Sequence, residues 1–151
     1  MARGFRKGAL DALGGFVPLP FIVIDSSAYR SLGPSAVRLL VDVARQYTGR
    51  NNGRLTPSYG LLKHWGWKSA TTLDKAKKEL RESGLISVTR QGKRASDECE
   101  LWALNWFALD WRKDMEIGPN GIDYMGFLKV SEVKIDPIPE RRRKTHLEAV
   151  A

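Results

Sequence analysis

The apolar positions of this chain follow two periods. From Pro34 to Tyr47, Val37, Leu40, Val41 and Ala44 recur at three- and four-residue spacing, and Ala36, Val43 and Tyr47 widen the stripe. This is an amphipathic helix pattern, with Arg38, Asp42, Arg45 and Gln46 on the remaining arc. A helix apolar around so much of its circumference belongs in the middle of a small domain. Leu73, Ala76 and Leu80 repeat the period between Ala70 and Ser83, and Thr71, Lys75, Lys78 and Glu82 fall opposite them. After Gly84 the period becomes two. Ile86 and Val88 alternate with polar residues, and either Leu101 with Ala103 or Trp102 with Leu104 does so on the return.

Capping and breaking residues bound these segments. Gly33-Pro34-Ser35 opens the first helix, which the pattern carries to Tyr47. Thr56 is the expected N-cap of a second helix running to Trp65, with Pro57 at the first helical position, where no amide donor is needed. Leu61, Leu62 and Trp65 point inward, Gly66 makes the turn, and Trp67 packs between the helices. Ser69 caps the third helix and Gly84 ends it; Asp74 sits in its first turn, four residues before Lys78. Strands follow over Leu85–Arg90 and Glu98–Leu104, joined by the polar tip Gln91–Asp97, with Leu55 a short strand closing the sheet. The expected fold class is α+β: a three-helix core plus a two- to three-stranded β wing.

The flanks are less patterned. Met1 to Leu19 reads as a glycine-rich basic arm, and Phe21–Ile24 as a strand or an extended lead-in. Asp25 or Ser26 caps a turn reaching Tyr29. Asn105–Trp111 brings Trp106, Phe107, Leu109 and Trp111 over the back of the domain. Tyr124–Ile135 adds a strand or short helix, and Pro137 and Pro139 oppose regular structure beyond it. The expected organisation is an N-terminal arm and lead-in (1–33), one core domain (34–111) and a C-terminal extension (112–151), as 151 residues allow.

Charge changes this picture. Lys and Arg number 25 against 17 Asp and Glu, a net of +8. Residues 54–94 carry ten cations against three acids, a net of +7, and residues 95–111 are net −4. A focused basic patch concentrates polyanions and speeds their capture. Ser69, Ala70, Thr71 and Thr72, with Lys75 and Lys78, form the candidate reading face of the third helix. Glu79 and Glu82 turn its far end away from phosphate. Arg90, Gln91, Lys93 and Arg94 are candidate wing contacts, and Arg50, Asn52, Arg54 and Lys68 candidate phosphate contacts. The bland reading of each is a solvated surface. A basic arm reaching a minor groove and the Arg141–Lys144 run are further candidates.

Other chemistries find little support. Cys99 is the single cysteine, so no intramolecular disulfide and no cysteine-based metal cluster form. It is expected half-buried in the returning strand and fits a reducing, cytoplasmic location. His64 has no second ligand at metal spacing, and no paired carboxylates, histidine-backed nucleophile or phosphate-binding glycine loop appears. No catalysis, metal or cofactor is expected. Arg3, Arg6 and Lys7 precede an apolar run as in an export signal, but Asp11, Pro18 and Pro20 interrupt it. No stretch approaches the ~20 apolar residues of a membrane span.

Assembled, Leu55-Thr56-Pro57-Ser58, Trp65-Gly66-Trp67, Ser69–Leu73, Glu79–Ile86 and Thr89–Gly92 resemble the winged helix-turn-helix DNA-binding proteins. A helix ending in Gly-Leu-Ile before a strand recurs in multiple-antibiotic-resistance-type regulators and in plasmid and phage replication-initiator domains. The resemblance covers residues 34–107. It implies a double-stranded DNA partner, a role in transcription regulation or DNA replication on a mobile element, and homodimerisation as one mode of action. A protein-interaction module on the same frame, an inhibitor or adaptor that does not read DNA, is the alternative.

Overall fold

The computed structural model describes residues 14–129; Arg3, Arg6, Lys7, the stretch 130–135 and the Arg141–Lys144 run lie outside the described residues. Five helices occur in the described chain: α1 (Phe21–Ile24), α2 (Ser27–Arg30), α3 (Pro34–Ala44), α4 (Tyr59–Leu62) and α5 (Ala70–Ser83). Strands β1 (Ile86–Arg90) and β2 (Leu101–Leu104) pair antiparallel. The described chain is thus mixed α+β.

α3 packs its apolar face against α5. Ala36, Leu39, Leu40, Val43 and Ala44 are buried, whereas Val37 and Val41 are only half-buried. The inward face is therefore rotated from the expected Val37–Leu40–Val41–Ala44 stripe and takes in Leu39. It lies opposite the arc of Ser35, Arg38 and Asp42, which sets its phase. The helix stops at Ala44, short of Tyr47, whose amide bonds to Ala44 O at 3.1 Å in a tighter closing turn.

α5 follows its pattern closely. The Ser69 hydroxyl accepts from Thr72 N at 3.2 Å, and Gly84 ends the helix in the left-handed conformation at φ 80°. Leu73, Ala76 and Leu80 pack into the core against α3. Burying each leucine contributes about 1.5–3 kcal/mol. Asp74 lies one residue past the first turn, and Lys78 pairs with Glu82 at 4.0 Å rather than with Asp74.

α4 departs from expectation. Thr56 does not cap it: the helix starts at Tyr59, the Thr56 hydroxyl accepts from Ser58 N at 3.3 Å ahead of it, and the Thr56 backbone pairs with the Gln46 side chain, N to Oε1 and O from Nε2, both at 2.9 Å. Ser58 takes the capping position instead, and after Leu62 the chain tightens into a 3-10 turn over Lys63–Trp65. That tightening turns Trp65 outward, leaving it 39% exposed, while Leu62 is buried and Leu61 half-buried. Phe21–Ile24 is helical rather than extended: Pro20 O accepts from Val23 N and Ile24 N, so tertiary context overrides the β-branched sequence.

The sheet is a hairpin with a bulge between Val88 and Arg90. Ile86 faces Leu104 and Val88 faces Trp102, which places Trp102 and Leu104, not Leu101 and Ala103, on the inner face with Ile86 and Val88. Leu55 adds one antiparallel bridge to Trp102, with bonds of 3.2 and 2.7 Å. Cys99 is exposed, because β2 begins only at Leu101 and Cys99 therefore belongs to the tip. No helix among the described residues is long and apolar enough to cross a membrane.

Candidate nucleic-acid interface

The turn between α4 and α5 is fixed from below by α3. Arg38 places its guanidinium 4.9 Å from the centre of the Trp67 ring and donates to Trp65 O at 3.1 Å. Asp42 accepts from Trp67 Nε1 at 2.7 Å, so Trp67 is buried with its one donor satisfied. Gly66 is needed here for its φ of 94°, while a Cβ would only crowd the flexible end of Arg38, at 3.1 Å from Nη2. The start of α5 is thereby set rigidly relative to α3.

From that start, Ser69, Ala70, Thr71, Thr72, Lys75 and Lys78 are all exposed, with Thr71, Lys75 and Lys78 opposite the core residues Leu73, Ala76 and Leu80. Ser69 spends one acceptor site on its cap. Both flanks of the helix are tied down. On one, Glu79 Oε1 accepts from Gly33 N at 2.6 Å, locking α5 to the head of α3. On the other, Lys77 Nζ lies 2.8 Å from Glu100 Oε2, and Arg81 Nη1 lies 3.1 Å from Glu100 Oε1. Glu100 is only 9% exposed and also accepts from Trp102 Nε1 at 2.8 Å. One carboxylate thus fastens α5 to the foot of β2. Sequence reading missed this role of Glu100, because Asp97, Glu98 and Glu100 form one acidic run and nothing local marks the last of them as buried.

The tip folds into a single 3-10 turn, Arg94–Ser96, closed by a Lys93–Glu98 bridge. Gln91, Lys93 and Arg94 are exposed. Arg90 is half-buried and donates from Nε and Nη2 to Cys99 O at 3.3 and 3.1 Å, stapling the base of the hairpin tip. Between α5 and the tip runs a cleft of about 500 Å³ bordered by Tyr59, Lys77, Arg81, Lys93 and Arg94.

The four residues offered for phosphate separate sharply. Arg50 and Lys68 are exposed, and Arg54 is exposed but lies 3.5 Å from Asp114. Asn52 is fully buried and faces no solvent. Its Nδ2 donates to Leu104 O at 3.0 Å, Ala108 O at 3.0 Å and Phe107 O at 3.2 Å, and its Oδ1 accepts from Leu104 N at 2.7 Å. Asn52 holds the chain after β2 in place and is unable to reach a phosphate. Among the described residues, Lys63, Lys68, Lys75 and Arg94 carry no ion pair, while acids from beyond β2 answer Arg54, Arg90 and Lys93. Comparison with protein-family models, curated proteins and solved structures finds no match.

Proposed function

We propose that this chain binds double-stranded DNA through a winged helix-turn-helix, with α3, α4 and α5 as the three-helix core and the β1–β2 hairpin as the wing. The observation that carries the reading is α5 itself. It is a helix locked on both flanks whose outward face begins with small polar side chains and continues into Lys75 and Lys78. A rigid helix of that composition fits a major groove, Thr71 and Thr72 reaching base edges and the lysines reaching phosphate. Lys68 and Arg94 extend the positive surface on either side. Such a protein acts in the cytoplasm as a transcriptional regulator or as a replication accessory factor of a plasmid or phage.

Replacing Lys68, Lys75, Lys78 and Arg94 together with alanine tests the reading. Each lost phosphate contact removes about 0.9 from the slope of log K against log salt. Fluorescence anisotropy on a random-sequence duplex should show weaker binding and a flatter salt dependence. Unchanged binding by the quadruple variant rejects this face. Selection from random duplexes then reports the oligomeric state, because a two-fold-symmetric site mirrors a protein dimer.

One observation favours a second reading. Arg54, Arg90 and Lys93 already face carboxylates, and Glu82 shares the outward side of α5, so a protein partner meeting this frame without DNA readout fits as well. Capture of a partner that survives nuclease treatment, with no duplex retained in a gel shift, supports that alternative.

A further inference from the structure

The segment after β2 returns along the open edge of β1. Glu116 N donates to Thr89 O at 2.8 Å, Trp111 Nε1 donates to Ile117 O at 2.8 Å, and Met115 is buried with its side-chain end beside Gly53. The backbone of this strap is therefore anchored. Its two acidic side chains both turn toward the wing cations. Asp114 Oδ2 lies 3.5 Å from Arg54 Nη2 and 3.9 Å from Arg90 Nη1. Glu116 Oε1 lies 3.4 Å from Lys93 Nζ, and its Oε2 accepts from Gln91 N at 3.2 Å.

We infer that Asp114 and Glu116 are a built-in competitor for backbone phosphate, occupying an anion subsite formed by Arg54, Arg90, Lys93 and the Gln91 amide. The inference rests on the DNA-binding reading. The donor set suits phosphodiester oxygens: two guanidinium groups meet Asp114, and an ammonium with one backbone N–H meets Glu116. Asp114, Glu116, Arg54 and Lys93 all retain substantial solvent access, and exposed pairs of this kind contribute only about 0–1 kcal/mol each. Exchange of carboxylate for phosphate is thus cheap in free energy. It requires only side-chain rotation, because Met115 and the Glu116 amide keep the strap in place. The acids then lower affinity at every site alike, since phosphate contacts carry no base sequence. Binding becomes more dependent on what α5 reads.

The test uses the full chain and its D114N/E116Q variant, titrated against a random-sequence duplex over a salt series. A D25N/D123N variant serves as a charge-matched control, since both of its acids are exposed and pair with Arg30 and Lys129, away from the wing. Removing the two strap charges should tighten duplex binding about three- to tenfold and steepen the salt slope, as added phosphate contacts do. The control should tighten it by less than about twofold, because distant exposed charges are screened. Equal or weaker binding by D114N/E116Q, or the same gain in the control, overturns the inference while leaving DNA binding standing. If neither the unaltered chain nor D114N/E116Q holds duplex at low salt, DNA binding itself fails and the inference with it. Unchanged thermal midpoints in the variants confirm that folding is not what moved.

Discussion

Asn52 has no side-chain atom to spare for a ligand. Two amide hydrogens serve three carbonyls of residues 104–108, its oxygen takes the Leu104 amide, and its own backbone N and O pair with Asp110 at 2.8 and 2.9 Å. Asn52→Ala should cost about 3 kcal/mol or more in urea denaturation, because several buried backbone groups lose their partner and each costs about 1–3 kcal/mol. Duplex affinity per folded molecule should not change; a loss of affinity at unaltered stability would return Asn52 to the interface. Its composition told only half the story. Thr48–Arg54 is rich in residues that favour turns, and Gly49 and Gly53 do adopt positive φ. Nothing local marks one of two adjacent asparagines as buried, since the carbonyls it serves arrive some fifty residues later. Trp65 and Cys99 face water because their elements are shorter than the local pattern implies: α4 gives way to a 3-10 turn after Leu62, and β2 begins at Leu101 rather than Glu98.

At the scale of elements, legibility follows the strength of local signals. α5 has a serine cap, three core residues in period and a glycine stop, and each acts as its chemistry dictates. α4 has no such agreement, with Gly60 inside it and Thr56 committed to Gln46, so only four residues are α-helical. What sequence could not display is the fastening between elements. Glu100 joins α5 to β2 through Lys77, Arg81 and Trp102. Glu100→Gln keeps an acceptor for Trp102 but removes the charge that compensates a largely buried Lys77. It should destabilise the fold by about 2 kcal/mol in thermal or urea unfolding, less than outright deletion of a buried partner. Combining it with Lys77→Met should recover part of that loss, since the unpaired cation is then gone too. Strict additivity of the two would refute the coupling.

At the scale of the whole molecule, charge is where linear sequence misleads most. Residues 54–94 are strongly basic and 95–111 acidic, and summing by segment suggests an undivided positive lobe. Folding interleaves them: Glu100 lies under α5, and Asp114 and Glu116 from the following strap lie against Arg54 and the β1–β2 hairpin. Among the described residues, Lys63, Lys68, Lys75 and Arg94 are exposed cations that no acid answers. The same return of chain closes the back of the core, where Phe107 stacks on Tyr47 with ring centres 4.5 Å apart. Burial there, with Asp110 nearby, raises the Tyr47 phenol above its ordinary value of 10.0. The sign follows from linkage. Above about pH 10 the unfolded chain loses its phenolic proton more readily than the folded one, so stability present below that pH is lost as pH rises through the folded value. Lysines and the other tyrosines titrate in the same window, so the comparison must be with Tyr47→Phe. That variant keeps the stack on Phe107 and removes only the titrating hydroxyl. Its urea midpoint should fall less steeply above pH 10 than that of the unaltered chain, with the two curves parallel at neutral pH. Parallel curves throughout would mean that the Tyr47–Phe107 layer is open to water.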